Sequence, residues 1–172
     1  MQPELIFDLN SKDLRKLLST FALAPIQIER AAARAINKTI RWIRTQALRL
    51  STAEFNIPQK AIKDRFLINT AKFKKAKASL WAGLNDIGIH RLGPGRKTKR
   101  GLKVRGREYP GAFQPKKLKP IFRRVGKARL PIEKVVLPLK ASELLIQNIY
   151  AMATLKFKIF FERELNFESL KR

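Results

Sequence analysis

Residues 111–135, GAFQPKKLKPIFRRVGKARLPIEKV, decide the fold class, because short apolar pairs alternate there with basic residues while Pro and Gly set the breaks. Pro115, Pro120 and Pro131 each lack a backbone donor, which suits strand starts and edge positions. Gly126 suits the turn between Phe122-Arg123-Arg124-Val125 and Leu130-Pro131-Ile132. The stretch predicts two or three antiparallel strands, with a hairpin whose tip, Lys127 to Arg129, is basic.

Upstream of it, two further strands are expected at Phe66-Leu67-Ile68-Asn69 and Ala78-Ser79-Leu80-Trp81, around a turn carrying Lys72, Lys74, Lys75 and Lys77. Ile87 to Leu92 reads as a continuation of the second strand past a bulge at Gly83 or Gly88. Composition then changes to Gly93-Pro94-Gly95-Arg96-Lys97-Thr98-Lys99-Arg100-Gly101, which predicts a flexible, charged loop over about 93–108.

Two long helices flank this β region. Pro25 stands at a first helical position, and no Gly or Pro interrupts the chain from there to about Ala53. At about 100° per residue, Ala32, Ile36, Ile40, Ile43, Ala47 and Leu50 fall within an arc of about 80°, the expected core face. Arg30, Arg34, Lys38, Arg41, Arg44 and Arg49 centre nearly opposite. Pro58 opens a short helix to about Arg65, and Ser142 caps a long C-terminal one with Leu145, Ile149, Met152, Lys156 and Ile159 or Phe160 on one side. Before Pro25, a short strand over Glu4 to Leu9 and a brief helix to about Thr20 are expected. The fold class is α+β: an antiparallel sheet of about four to six strands packed against both long helices, with the basic loop projecting, all in one domain over 1–172.

Lys and Arg number 38 against 13 Asp and Glu, a formal charge of +25, while hydrophobic residues still make up 45%. Disordered chains pair high charge with low hydrophobicity, so this balance describes a folded body facing a polyanion. The excess is concentrated: Arg91 to Arg129 holds fifteen cations and one acid, Glu108. Such repulsion has to be relieved by solvent or by a partner.

Metal and catalytic chemistry find little support. The chain has no Cys and one His, His90, so neither a thiolate metal site nor a histidine cluster is available, and no cofactor is implied. Glu162 and Glu164 lie two residues apart and point about 200° away from each other on a helix, which rules out a carboxylate pair. Gly106 to Gly111 has phosphate-loop spacing, but Ala112 and Phe113 follow it instead of Lys and Ser/Thr. Trp42, Trp81, Tyr109 and Phe122 sit in apolar patterns that suit core packing, so base readout is not expected. The N-terminus lacks a secretory pattern, no stretch reaches about 18 uncharged apolar residues, and no membrane role is expected.

Gly111-Ala112-Phe113, Ile121-Phe122-Arg123-Arg124 and Gly126 to Lys134 together resemble the signature of the phage minor tail protein Z family, the tail completion proteins of tailed bacteriophages. Ala35-Ile36-Asn37-Lys38-Thr39-Ile40-Arg41-Trp42-Ile43-Arg44 resembles that family's small-Leu-Asn-basic helix. Val135-Val136-Leu137-Pro138 departs from it where a Gly-Pro-Ser turn is expected, and Leu139 to Arg172 matches by helical character.

The resemblance implies a structural, non-enzymatic virion protein that completes the head-proximal end of a tail and takes part in joining it to the head. Its partners would be tail tube or terminator proteins, the head connector, further copies in a six-fold ring, and genomic DNA touched through phosphates. The expected phosphate-facing residues are Arg96, Lys97, Lys99, Arg100, Lys103, Arg105 and Arg107, then Arg34, Lys38 and Arg41. Expected protein interface residues are Phe122, Arg123, Arg124, Lys127 and Arg129, with Glu162 and Glu164 docking on a neighbour's cationic surface. The same cations would equally suit acidic protein surfaces, and the alternative reading is a free cytoplasmic protein that binds nucleic acid non-specifically.

Overall fold

The computed structural model describes residues 18–73 and 76–171, so the expected strand at Glu4 to Leu9, most of the brief helix after it, and Lys74 and Lys75 lie outside the described residues. Two compact units can be distinguished, one from 64–83, 141–171 and the described residues up to 51, the other from 52–63 and 84–140.

In the first unit the central element is α1, Pro25–Phe55, up to Ser51. Pro25 occupies its first helical position, and Gln27 reaches back so that its side-chain oxygen accepts from the Ala24 N–H at 2.9 Å, one half of a capping box. Ala32, Ile36, Ile40, Ile43 and Ala47 are buried as expected, and Leu50 is half-buried. Ala31, Ala33 and Ala35 are also buried, so the first turns are covered over more than one stripe. Thr39 is fully buried and satisfies its hydroxyl on the Ala35 carbonyl at 2.8 Å.

Two other elements pack on α1 within this unit. The hairpin β1 (Phe66–Asn69) and β2 (Ser79–Ala82) pairs antiparallel from Phe66↔Ala82 to Asn69↔Ser79, and buries Phe66 and Leu80. Asn37 fixes its connecting segment by donating to the Ala71 carbonyl at 3.0 Å and accepting from the Ala71 N–H at 2.7 Å. Arg44 donates to the Phe66 carbonyl at 2.8 Å. The C-terminal helix spans Glu143–Ser169, and the Ser142 hydroxyl accepts from the Leu145 N–H at 3.1 Å, the cap expected from the sequence. Its buried side runs Leu145, Ala153, Phe157, Phe161 and Leu165, in steps of four after the first turn. That corrects the expected face: Ile159 is 43% exposed, and the stacked pair Phe157–Phe161, 5.5 Å apart, takes the inward position.

This helix has no run of about 18 uncharged apolar residues, since Lys156 and Lys158 interrupt it. Between Leu144 and Phe161 its only charges are Lys156 and Lys158, and by length and composition it is apolar enough to cross a membrane.

The second unit begins with the end of α1. Asn56, in the left-handed region at φ 49°, closes that helix with hydrogen bonds from Asn56 N–H to Ala53 and from Ile57 N–H to Thr52, a Schellman arrangement. The short α2, Gln59–Ile62, runs on into a 3-10 turn at Lys63–Arg65. Instead of one sheet of four to six strands, the β region forms several small ones. Here β3 (Ile87–Gly88) pairs with β10 (Val136–Leu137), so Ile87 to Leu92 does not extend β2: it turns into a 3-10 helix at Ile89–Leu92. The strands β4 (Arg96–Thr98), β5 (Gly101–Val104) and β6 (Arg107–Pro110) form a meander, and β7 (Ala112–Phe113), β8 (Phe122–Arg124) and β9 (Ile132–Lys134) form another. The core of this unit is Ile57, Ile62, Ile87, Ile89, Leu102, Val104, Ile121 and their neighbours.

Candidate polyanion-binding surface

The segment read as a projecting loop is a three-stranded meander, because Leu102 and Val104 alternate with Lys103 and supply a buried face. Register assigns the cations to faces. Lys97 stands opposite Leu102, which stands opposite Tyr109; this is the packed side. On the other side Arg96 stands directly opposite Lys103, and Lys103 opposite Glu108. Lys99 and Arg100 form the exposed turn at one end, and Arg105, at φ 48°, marks the turn at the other. Like charges directly opposite on a sheet are destabilising. Glu108, the one acid in the meander, also accepts a hydrogen bond from the Thr98 hydroxyl at 2.8 Å.

Arg107, expected with this group, has another use. It donates to the Phe55 carbonyl at 2.9 Å and so satisfies one of the last carbonyls of α1.

Arg34 and Lys38 are likewise used within the chain. The Arg34 guanidinium holds Glu164 through Nε and Glu168 through one terminal nitrogen, each at 2.5 Å, while Lys38 pairs with the second oxygen of Glu164. Both carboxylates are nearly fully buried. Burial opposes the Glu164 charge, but the hydrogen bonds from Lys38 and Arg34 outweigh it and hold the carboxyl below its ordinary range. For Arg34 too, burial works against the charge and the two glutamates more than offset it. The basic partner inferred for the acids late in the C-terminal helix is thus present in the same chain. Glu162 stays exposed, as does Arg41.

The remaining expected interface residues belong to the β7–β8–β9 sheet. Phe122 lies 6.4 Å from Phe113, Arg124 lies over the Phe113 ring at 5.9 Å, and Arg123 pairs with Glu133 across the strands at 2.6 Å. Lys127 and Arg129 are exposed at the tip. Sequence reasoning missed Asn37, Glu168 and Thr98; their partners lie on other elements and leave no local pattern. Burial and the charges of Arg91 and Lys134 push the imidazole of His90 below its ordinary range. Among the described residues no group of three or more His, Asp or Glu is placed to hold a metal ion.

These features define a strongly basic α+β protein that displays its charge on small antiparallel sheets. Residues 19–168 match the family described as prophage minor tail protein Z (GPZ), and the chain belongs to that family. It is therefore a structural protein of the phage tail. No curated protein and no solved structure matches it.

Proposed function

We propose that this chain completes the head-proximal end of a phage tail and takes part in head–tail joining. In this reading several copies form a six-fold ring around the path of the genome and touch DNA through phosphates, without reading sequence. Its neighbours are the tail tube or terminator and the head connector, its role is structural and not catalytic, and the 172 residues act as one tail-completion module.

The observation that carries the reading is the solvent face of the meander, where Arg96 faces Lys103 between the exposed cations Lys99, Arg100 and Arg105. A folded protein that sets like charges opposite each other is suited to an anion that relieves them. Lys97 adds to these cations and Arg41 is exposed on α1, whereas Arg34, Lys38 and Arg107 contribute less because each already neutralises or caps a group of its own chain.

The test is electron microscopy of particles from the parent phage or prophage lacking this gene, complemented by a copy with Ser at Arg96, Lys97, Lys99 and Arg100. Unjoined heads and tails without the gene, and the same defect with the Ser copy, are the expected results. Normal infectious particles without the gene would discard the assignment and promote a free nucleic-acid-binding role.

A further inference from the structure

We propose that the β8–β9 arm is a docking strand that receives an extended, acidic and partly apolar segment of a neighbouring protein by strand addition at the free edge of β9. The inference rests on the chain having protein neighbours in the tail, and not on the proposed DNA contacts.

Every residue from Arg123 to Lys134 is exposed, so this arm has solvent on both faces. It nevertheless carries Val125, Leu130 and Ile132, which are 61%, 67% and 38% exposed. β7 pairs only with Phe122 and Arg123, so beyond Arg123 the arm is a two-stranded ribbon, which is marginal in water and is stabilised by a further strand. Phosphate contacts would use the cations of the arm and leave these apolar side chains in water. The meander makes the contrast: among its described residues no large hydrophobic side chain is exposed.

The edge itself is open. Within its sheet β9 is the terminal strand. The hydrogen bonds from Val125 to the Pro131 carbonyl and from Val135 to the Ile121 carbonyl set the ladder, so by alternation Ile132 and Lys134 direct their N–H and C=O groups away from β8. An added strand would meet exactly those two residues' backbone groups, the usual means by which sheets capture peptides.

Charge decides the chemistry of the occupant. The arm holds Arg123, Arg124, Lys127, Arg129 and Lys134 against one acid, Glu133, which Arg123 already engages. A basic edge with Pro131 beside it repels a second copy of itself and admits an acidic strand. On the face shared by Ile132 and Lys134, Arg124 stands opposite Ile132 and Phe122 opposite Lys134, so alternating apolar and acidic side chains would find matching neighbours.

The test uses the full chain, free in solution, and a synthetic peptide of about ten residues in a Val-Thr-Glu-Thr repeat, which sets Val and Glu alternately on one face and is long enough to cover the arm. Binding is read by fluorescence anisotropy and by hydrogen exchange at Ile132 and Lys134, whose amides should become protected. The Arg129→Glu, Lys134→Glu double variant and an N-methylated peptide should each bind at least about tenfold more weakly. Equal binding of the N-methylated peptide, no binding of the parent peptide, or binding of the arm to duplex DNA alone would each overturn the proposal. Ile132→Pro, which removes one outward donor, should match the N-methylated peptide; should that variant not fold, the peptide comparison still decides. Because the assay contains no particle, its failure leaves the head–tail reading to its own experiment.

Discussion

Glu164 keeps its charge while 4% exposed because both of its oxygens are taken, one by Arg34 and the other by Lys38. Its partners come from 130 and 126 residues earlier in the chain, so the cluster locks the C-terminal helix onto α1. The depressed carboxyl pKa has a definite consequence for stability. A group whose folded pKa lies below its ordinary value contributes stability above that ordinary value, here 4.5, and loses it as pH falls through the folded pKa. Glu164→Gln should cost about 2 kcal/mol at neutral pH, the scale of a hydrogen bond to a charged group. The gap to the parent chain should close as pH drops toward the folded pKa. Urea denaturation at neutral pH and again well below pH 4.5 reads both. A gap that stayed constant would show that the carboxylate charge is not what stabilises the contact. The sequence pointed to a cationic partner for Glu164, placed on a neighbouring subunit, but not to Arg34 and Lys38 of the same chain, which look like the solvated face of an amphipathic helix.

In the meander, Gly101 is held by close backbone neighbours. A Cβ at Gly101 would stand 2.3 Å from the Tyr109 carbonyl oxygen and 2.9 Å from the Gly111 nitrogen, both backbone atoms that cannot move aside cheaply. At Gly126, in the β8–β9 turn, nothing lies within 4 Å. Gly101→Ala should therefore destabilise the protein by about 2 kcal/mol or more, as strained backbone positions do, while Gly126→Ala stays near neutral. Thermal denaturation of the two variants side by side checks this, and similar midpoints would contradict the close approach. The contrast explains what could be read beforehand. The β1–β2 hairpin, α1 and the Ser142 cap were legible because their signals are local: alternation, an uninterrupted helical run, a hydroxyl before a helix. The meander was not, since its Gly and cation content mimics a loop and only Leu102 and Val104 betray the alternation. Nor was the division of the β region into several small sheets, which depends on long-range pairings such as β3 with β10.

For the whole molecule the governing quantity is the net charge of +25. Packing must hold together a chain that repels itself, and the buried ion pairs remove only a small part of that excess. Two salt effects of opposite sign follow. Raising ionic strength shortens the Debye length from about 30 Å at 0.01 M to about 10 Å at 0.1 M, which screens repulsion among the exposed cations. The isolated protein should then melt several degrees higher, because the exposed like charges far outnumber the Arg34 and Lys38 contacts, whose carboxylates are buried. The proposed DNA contacts should weaken over the same range, with affinity falling by about 0.9 powers of salt for each phosphate neutralised. Replacing Arg96, Lys97, Lys99 and Arg100 by Ser should lower that slope by about 3 to 4 and also reduce the salt dependence of the melting temperature, since the same four charges drive both. Measuring melting and duplex binding in one salt series, on the parent chain and the Ser variant, separates the possibilities. If the Ser variant kept the full salt slope of binding while its melting lost salt dependence, the four cations would contribute to self-repulsion without touching phosphate, and the charge of the meander would have to be explained by an acidic protein surface.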